Sequence, residues 1–299
     1  MDMLQIKGLR KRFGDKTVLQ DLDLTVPEGS IFGFVGKNGA GKTTTMKAVL
    51  GLLQPDAGEI LVAGQPVRFG STQTNAQIGY LPDVPEFYGF MTAREYLQFC
   101  GQISGMRSQE IHQRSQQLLE MVGLGEERHR IRGYSRGMKQ RLGIAQALLH
   151  RPKLLLCDEP TSALDPVGRK EMLELLQAVQ KETTVLFSTH ILSDVERICT
   201  DVAFLQDGKI TLQGKMADIR SQYRSDVYLV ELARADHAAA LQKAFVGMQP
   251  AGGHQLSFAA SRHDPTQVLR WIAHQAMPLL RWEQQEPTLE SVFLEVMDA

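Results

Sequence analysis

Apolar and polar residues alternate in the first part of the chain and then give way to unbroken apolar runs. The opening segment LQIKGLRKRFGDKTVLQDLDLTVPEG alternates on both sides of an FGDK turn, which predicts a small antiparallel sheet. Three runs are continuously apolar: SIFGFVG, KLLLCDEP and TTVLFSTH. A helical pattern follows the first run as far as Leu50. A second helical pattern, from Pro166 to about Lys181, lies between the other two runs. Unbroken apolar strands that alternate with helices predict a parallel sheet covered on both faces.

Two further segments have patterns of their own. Between Thr92 and Gly123 apolar residues recur at helical spacing, which predicts two amphipathic helices in a lobe inserted between strands of the sheet. The apolar positions are Tyr96, Leu97, Phe99, Cys100, Ile103, Leu118, Leu119 and Val122. After a hairpin predicted at Asp207 and Gly208, the pattern changes near Ser225, and DVYLVEL, HQLSFAA and PLLRWEQ each predict a strand followed by a helix.

These patterns together predict an α/β protein of two domains. The first spans residues 1–222 and contains the helical subdomain at about 84–150. The second, residues 223–299, is a small accessory α/β domain. A chain of 299 residues is long enough for this division.

Composition narrows the function classes. The net charge of -1 argues against a protein that binds nucleic acid by bulk electrostatics, so no nucleic-acid partner is expected. The N-terminus lacks the apolar segment of a signal peptide, and no apolar run is long enough to cross a bilayer. We therefore expect a cytoplasmic protein whose membrane function, if it has one, depends on a separate chain. Cys100, Cys157 and Cys199 have no metal-type spacing, which indicates reduced thiols.

The segment GKNGAGKT, here called the phosphate loop (Gly36–Thr43), fits the pattern G-x-x-x-x-G-K-[ST]. In such a loop the backbone N–H groups surround phosphates, the lysine binds the β and γ oxygens and the hydroxyl contacts Mg²⁺. The segment lies between an apolar strand and a helix, as that chemistry requires. The nucleotide-binding candidates are Gly36, Asn38, Gly39, Ala40, Gly41, Lys42, Thr43 and Thr44.

Charged side chains follow two of the apolar strands. Asp158 and Glu159 come at the end of LLLCDEP, and His190 ends TTVLFSTH. Because ligands bind at the carboxyl ends of parallel strands, we expect all three at the same edge of the sheet as the phosphate loop. Asp158 is the candidate metal ligand, and Glu159 is the candidate that orients and deprotonates an attacking water. His190 is expected to contact the γ-phosphate.

A second helix start, YSRGMKQRLGIAQALL (134–149), also has the features of an anion site. Ser135 is a candidate helix cap, and Arg136, Gly137, Lys139 and Arg141 follow in the first turns. Unpaired N–H groups and the positive end of the helix dipole favour an anion at such a start. A capped amphipathic helix alone would explain the apolar face but not the glycine and the cations.

At residues 3–220 the chain resembles the ATP-binding subunit of a bacterial ABC transporter of the drug, peptide or sodium exporter type, in which the membrane subunit is a separate chain. The phosphate loop is similar to Walker A, LLLCDEP to Walker B with its catalytic glutamate, SALD to the D-loop and YSRGM to the signature motif. The resemblance implies a P-loop ABC ATPase core, with an antiparallel β subdomain, a parallel sheet and an inserted helical subdomain. It implies ATP and Mg²⁺ as ligands, catalytic roles for Lys42, Glu159 and His190, and metal contacts from Thr43 and Asp158. It also implies that Phe13 stacks on adenine and that Asp165 belongs to the D-loop.

The resemblance further implies a partner arrangement. ATPase subunits of this family pair head to tail, so that Ser135, Arg136 and Gly137 of one chain face Lys42 of its mate and complete the site in trans. A homodimer would then act beneath an integral membrane permease that contacts the region near residues 83–99. The protein would be peripheral at the inner face of the cell membrane.

The sequence departs from the common family pattern in two places. Asp83 stands after IGYLP where the family usually has glutamine, and Arg136 and Met138 replace a glycine and a glutamine of the signature motif. The carboxylate of Asp83 is a further metal-ligand candidate, and a solvent-facing loop residue is the alternative. The guanidinium of Arg136 either supports a phosphate or faces water, and the sequence does not decide between these.

Two apolar segments also have open interpretations. In EFYGFMTAREYLQF (86–99), the apolar side chains predict either a docking surface or a buried cluster. The last segment, EPTLESVFLEVM (286–297), predicts an amphipathic helix that senses a regulator, extends a dimer interface or stabilises the fold. Its apolar face consists of Leu289, Val292, Phe293 and Val296.

Function also has alternatives within the same ATPase family. A soluble ABC ATPase that drives a ribosome-, DNA- or chaperone-linked process usually carries two ATPase units or a long insertion, and neither is present in this sequence. An ABC machine that moves a cell-envelope component is not separated from an exporter by the sequence, because the transported molecule contacts the other subunit.

Overall fold

The computed structural model describes residues 1–223, 226–285 and 288–298, with side chains as far as Phe293. Contacts divide the chain into a first unit, residues 1–217 with those from Phe293 onward, and a second unit, Asp218–Val292. Parts of the sequence predictions for the C-terminal region lie outside the described residues. They concern Ser225, Glu286, Pro287 and the side chain of Val296. The predicted domain boundary between residues 222 and 223 stays a prediction.

The first unit begins with the predicted antiparallel sheet. Leu4, Ile6, Leu19 and Leu22 alternate with polar neighbours and are buried beneath it. The two long strands meet at the FGDK turn, and two later strands extend the sheet in the order β2-β1-β4-β5. The strands are β1 (Asp2–Phe13), β2 (Lys16–Pro27), β4 (Ala57–Val62) and β5 (Gln65–Pro66), and β3 is Ile31–Val35 of the central sheet.

The central sheet contains the continuously apolar strands. Every residue of β3 is buried, as is every residue of the two strands that contain Leu156 and Phe187. Its strand order is β10-β9-β3-β8-β7-β6, parallel from β9 to β6, with β10 antiparallel at one side. The remaining strands of this sheet are β6 (Ile78–Leu81), β7 (Leu154–Asp158), β8 (Thr184–Thr189), β9 (Asp201–Gln206) and β10 (Lys209–Lys215).

The first unit also contains helices. They are α1 (Lys42–Val49), α2 (Ala93–Ile103), α3 (Ser108–Met121), α4 (Arg136–Ala147), α5 (Pro166–Val179) and α6 (Leu192–Ile198). The next helix, α7 (Met216–Gln222), contains the boundary between the two units. The two helices α2 and α3 confirm the predicted pair between Thr92 and Gly123. The prediction was wrong for one residue of the apolar face, since Ile103 is 71% exposed. The helix α2 ends at Ile103, and α3 contacts α2 earlier, where Ile111 packs against Gly101.

The second unit contains a four-stranded sheet in the order β12-β13-β11-β14. Its elements are β11 (Val227–Leu232), α8 (Ala235–Ala244), β12 (Gln249–Gly252), β13 (Gln255–Ala259), α9 (Pro265–His274) and β14 (Leu279–Gln284). The sequence pattern missed β12, because its residues Gln249, Pro250, Ala251 and Gly252 are all exposed and carry no apolar alternation. Val230, Leu241, Val268 and Ile272 form the core of this unit.

The last helix, α10 (Leu289–Asp298), forms where the tail predicts it. Leu289 and Val292 are buried. Phe293, which belongs to the first unit, contacts Phe204 of β9 edge to face, with ring centroids 5.3 Å apart. In the described ranges of the chain, no helix combines the length and apolar character needed to span a bilayer.

Candidate functional site

The central sheet brings the ends of four strands to one edge. The order β3, β8, β7, β6 places the phosphate loop after the first of these strands, His190 after the second, Glu159 after the third and Asp83 after the fourth. Because these strands are parallel, their carboxyl ends lie at the same edge. Groups that are far apart in sequence therefore lie at one edge of the sheet.

The phosphate loop depends on its glycines. Gly41 has φ +116°, and a Cβ at this position would lie 2.7 Å from Leu19 Cδ2. A Cβ on Gly36 would lie 2.6 Å from the carbonyl oxygen of Leu205. A side chain at either position would displace the loop from the strand and helix that it joins, so the backbone N–H groups would lose their arrangement around an anion.

Lys42 lies at the bottom of the loop and is only 5% exposed. Its ammonium group donates hydrogen bonds to the carbonyl oxygens of Gly36 at 2.6 Å and of Lys37 at 3.3 Å. The same nitrogen lies 3.0 Å from Glu159 Oε1. The cation is therefore fixed inside the loop and faces the acids at the end of β7.

Asp158 is buried and accepts two short hydrogen bonds. The hydroxyl of Thr43 donates to Oδ2 at 2.6 Å, and that of Ser188 donates to Oδ1 at 2.6 Å. The hydroxyl–carboxylate pair of Thr43 and Asp158 offers the hard oxygen donors that Mg²⁺ prefers alongside phosphate oxygens. Among the described residues there is no group of three or more His, Cys, Asp or Glu side chains that could bind a metal.

Glu159 lies between two basic groups. Its Oε2 is 2.9 Å from Nδ1 of His190, and its Oε1 faces Lys42. The backbone of Glu159 has φ 49°, a left-handed conformation that is uncommon for a residue with a side chain. Its N–H group donates to the hydroxyl of Ser188 at 3.1 Å and lies 3.2 Å from the Ser188 carbonyl oxygen. The neighbouring strand thus holds the strained backbone in place.

Ser188 was missed in the sequence. It pairs directly with Asp158 in the parallel ladder and supports both acids. The signal was present, since Ser188 is a polar residue within the apolar run TTVLFSTH. Without a known strand register, however, the residue that faces Asp158 could not be named.

Asp194 was also missed. It is buried in α6 and accepts hydrogen bonds from the hydroxyl of Thr161 and from Nε of Arg169, each at 2.6 Å. Thr161 follows Glu159 by two positions, and Arg169 belongs to α5. Asp194 therefore anchors the segment that leaves the cleft, and no sequence pattern pointed to it.

Asp83 contacts the second helix start. Its carbonyl oxygen accepts a hydrogen bond from Nε2 of Gln140 at 2.6 Å, and its Oδ1 accepts one from the hydroxyl of Ser162 at 3.2 Å. The same Oδ1 lies 3.5 Å from Nη2 of Arg136.

Burial raises the pKa of Tyr80, three residues before Asp83, to about 12, with a further contribution from the charge of Asp158. The phenol next to the acids therefore stays neutral.

The helix α4 begins at the predicted cap. The hydroxyl of Ser135 accepts a hydrogen bond from the N–H group of Met138 at 3.2 Å. The helix packs closely on β6, where a Cβ on Gly143 would lie 2.5 Å from Leu81 Cδ1. Gln140, which links α4 to Asp83, is 1% exposed and was not singled out in the sequence.

A cavity of about 390 Å³ separates the start of α4 from the SALD segment. Asp165 of this segment caps α5 by accepting a hydrogen bond from the N–H group of Gly168 at 3.2 Å. The cavity is lined by Ser135, Arg136, Gly137, Ala163, Leu164 and Asp165, with others. The signature and D-loop candidates therefore face one space, apart from the phosphate loop.

Phe13 lies at the end of β1 and is 50% exposed. The ammonium group of Lys11 lies 5.4 Å from the centre of its ring. An exposed aromatic ring can stack on a base, but the contacts given above for the phosphate loop, Asp158, Glu159 and His190 do not include Phe13. Its role at adenine stays a prediction.

Taken together, the cleft holds a buried cation in an amide-lined loop, a hydroxyl–carboxylate pair and a second carboxylate beside a histidine. These groups suit the binding of a nucleoside triphosphate with Mg²⁺ and the activation of a water molecule against its terminal phosphate. The sequence predicted each of these side chains, and the structure brings Lys42, Thr43, Asp158, Glu159 and His190 into contact.

Comparison with known proteins agrees with this chemistry. A family model described as ABC transporter matches residues 19–162, and a second, described as the C-terminal domain of DrrA1-3-like ATP-binding proteins, matches residues 214–297. The uncharacterized ABC transporter ATP-binding protein YxlF of Bacillus subtilis (strain 168) is 37% identical over 99% of this chain and 100% of its own length. The linearmycin resistance ATP-binding protein LnrL of the same organism is 31% identical over 98% of this chain and 97% of its own.

Solved structures agree as well. One described as the ATP-binding subunit of an ABC transporter is 33% identical, has a TM-score of 0.66 and covers 74% of this chain and 93% of its own. The α/β fold predicted from the sequence is thereby confirmed as that of the ABC ATPases. The protein belongs to the ATP-binding subunits of ABC transporters, and its activity is the hydrolysis of ATP.

Proposed function

We propose that the protein is the Mg²⁺-dependent ATPase subunit of an exporter, and that two copies close head to tail on ATP beneath a separate membrane subunit. One observation carries this proposal: the phosphate-binding groups of one chain form two separate regions, the loop with Lys42 and the helix start with Ser135. In a two-fold pair, each region would complete the other. The relative LnrL is a resistance protein, which favours export as the direction of transport.

Within each site the side chains have separate tasks. Lys42 binds the β and γ oxygens, and Thr43 and Asp158 hold Mg²⁺, which neutralises phosphate charge when bound. Glu159 accepts the proton of the attacking water. His190 contacts the γ-phosphate and also orients Glu159 through their hydrogen bond. Ser135 and Gly137 bind the phosphates of the mate's ATP through the start of α4.

A groove of about 510 Å³ between residues 84–89 and the start of α4 supports a docking site for the membrane subunit. Phe87 and Val84 contribute its apolar wall. Its charged lining consists of Arg132, Arg136, Lys139 and Glu86. Arg136 pairs with Asp83, but Arg132 and Lys139 still outnumber Glu86 in the lining. We therefore assign the groove to a cytoplasmic segment of the membrane subunit that presents apolar side chains and at least one carboxylate. This docking would hold the protein at the inner face of the membrane.

Affinity purification of the Glu159→Gln variant tests the proposal. The tagged variant is trapped with ATP and Mg²⁺ in solubilised membranes of the cells that produce it, and the co-purified proteins are identified by mass spectrometry. We expect a polytopic membrane protein in stoichiometric amount. Recovery of ribosomes, nucleic acid or soluble proteins alone would overturn the transport assignment and favour a soluble ABC process.

A charge-reversed variant serves as the matched control for the groove. Arg132→Glu with Lys139→Glu, in the same Glu159→Gln background, is expected to lose the membrane protein and to keep ATP-driven dimerisation. If the membrane protein is recovered in undiminished amount, the groove is not its docking site. If the membrane partner resembles a lipid- or envelope-handling protein, the proposed transported molecule changes from a drug or peptide to a component of the cell envelope.

A further inference from the structure

The two residues that depart from the common family pattern face each other. Asp83 and Arg136 are separated in sequence by α2 and α3, yet Oδ1 of the acid lies 3.5 Å from Nη2 of the arginine. Each side chain is about half exposed, at 49% and 48%. An ion pair of this kind adds little to the stability of the fold, so stability alone does not explain the pairing.

The position of Asp83 connects three parts of the site. Its backbone carbonyl is held by Gln140 of α4, and its carboxylate accepts a hydrogen bond from Ser162, three residues after Glu159. Asp83 itself follows β6, the neighbour of β7 in the sheet. A change at the acids of β7 can therefore reach α4 through one residue.

The position of Arg136 creates a need for an anion. It is the first residue of α4, where the helix dipole is positive, and the first turn of this helix contains no acidic residue. A cation at this point is electrostatically unfavourable for the helix. Asp83 supplies a counter-charge from the same chain, and a phosphate of higher charge would supply a stronger one.

We propose that the Asp83–Arg136 ion pair couples the two half-sites of a chain: Arg136 exchanges Asp83 for a phosphate of the ATP held by a second copy. Asp83 is then a positioning residue that sets how readily the dimer closes. This inference rests on the proposed head-to-tail dimer. Arg136, which replaces a glycine of the signature motif, would then contact the phosphate directly. Asp83, which replaces the glutamine, would control how easily Arg136 reaches that phosphate.

A mutant cycle in the Glu159→Gln background tests the coupling. The measured quantity is the ATP concentration at which half of the chains are dimeric, determined by light scattering with Mg²⁺. We expect Asp83→Asn to lower this concentration about threefold, because the amide is uncharged and still accepts a hydrogen bond from Ser162. We expect Arg136→Gly to raise it about tenfold and Arg136→Lys to restore most of the loss.

The double variant decides the result. In Asp83→Asn with Arg136→Gly the concentration should equal that of Arg136→Gly alone, because the acid acts only through the arginine. Lys170→Ala removes an exposed cation of α5 that does not line the cavity between α4 and the SALD segment, and it should change nothing. An equal effect of Asp83→Asn with and without Arg136, or no effect of Arg136→Gly, would overturn the inference. If Glu159→Gln itself stays monomeric with ATP, the proposed dimer and the inference both fail.

Discussion

The ammonium nitrogen of Lys42 lies 3.0 Å from a carboxylate oxygen of Glu159, so the cation expected at the phosphates also pairs with the expected base. The two side chains are distant in sequence but lie at the same edge of the sheet, one in the loop after β3 and the other at the end of β7. A bound triphosphate competes with Glu159 for the same cation. Nucleotide binding and release of the base for catalysis are therefore linked by charge.

The first prediction concerns Glu159. Glu159→Gln should reduce phosphate release at least about 100-fold, because the amide cannot accept a proton from water. ATP binding should persist and the dimer should accumulate, which light scattering with ATP and Mg²⁺ measures. Glu174→Gln, on the surface of α5, is the control and should retain full activity. Near-normal turnover by Glu159→Gln would remove the residue from the role of base.

The second prediction concerns the metal. Asp158→Asn should raise the Mg²⁺ concentration needed for half-maximal hydrolysis by about tenfold or more, because the neutral amide is a weaker ligand for a hard cation. The variant can still accept the hydrogen bond from Thr43, so the loop should keep its shape. A Mg²⁺ titration of ATPase activity measures the shift. Asp264→Asn, which preserves the cap of α9, should leave the titration unchanged.

The third prediction restores the family residue at the position of Asp83. Asp83→Gln should preserve ATP affinity and change either the Mg²⁺ dependence of hydrolysis or its coupling to transport, because a neutral amide replaces a carboxylate beside the acids of β7. Fluorescent nucleotide binding and a Mg²⁺ titration on the same preparation separate the two effects. Identical titrations together with unchanged transport would show that the charge at this position is without consequence.

The fourth prediction concerns the packing of α4 on the sheet. Gly143→Ala should lower the free energy of unfolding by about 1–3 kcal/mol, because the added methyl group would meet Leu81 at 2.5 Å. Denaturant unfolding measures this loss. Gly133→Ala places the same group where no atom lies within 4 Å, and it should be nearly neutral. If the two variants have equal free energies of unfolding, α4 can move away from Leu81 without loss of stability.

The fifth prediction concerns the thiols. Burial raises the pKa of Cys157, Cys199 and Cys100, so the reactive thiolate fraction at pH 8 is smaller than for an ordinary thiol. In the folded protein all three should react slowly with a thiol reagent, and unfolding should release fast labelling. Mass spectrometry of timed samples identifies each site. Rapid labelling of Cys157 in the folded protein would contradict its complete burial.

Much of the candidate site could be predicted because its residues occur at fixed offsets from apolar strands. Lys42 and Glu159 are named by motifs, and parallel strands bring their carboxyl ends together whatever the loops between them do. The supporting residues could not be found in this way. Ser188 and Asp194 depend on strand register and helix packing, which a single sequence does not specify.

The fold was predictable to a similar depth. Continuous apolar runs located β3, β7 and β8, whose residues are all buried. The exposed strand β12 carries no such signal and was missed. The pairing of Asp83 with Arg136 was also beyond the sequence, because it depends on how the helical lobe returns the chain to β6. Local pattern thus predicted the elements, and long-range geometry decided their contacts.

The order of strands in the central sheet also governs how the molecule can be made. β3 is followed at once by the phosphate loop, but its neighbours in the sheet are β8 and β9, so that Ile31 pairs with Val185 and Phe32 with Asp201. Most of the first unit must leave the ribosome before this ladder can form, and contacts so distant in sequence form slowly. The unpaired edge of β3 is exposed to other chains during that interval. Yield at high expression should therefore depend on chaperones and temperature more than on the final stability of the protein.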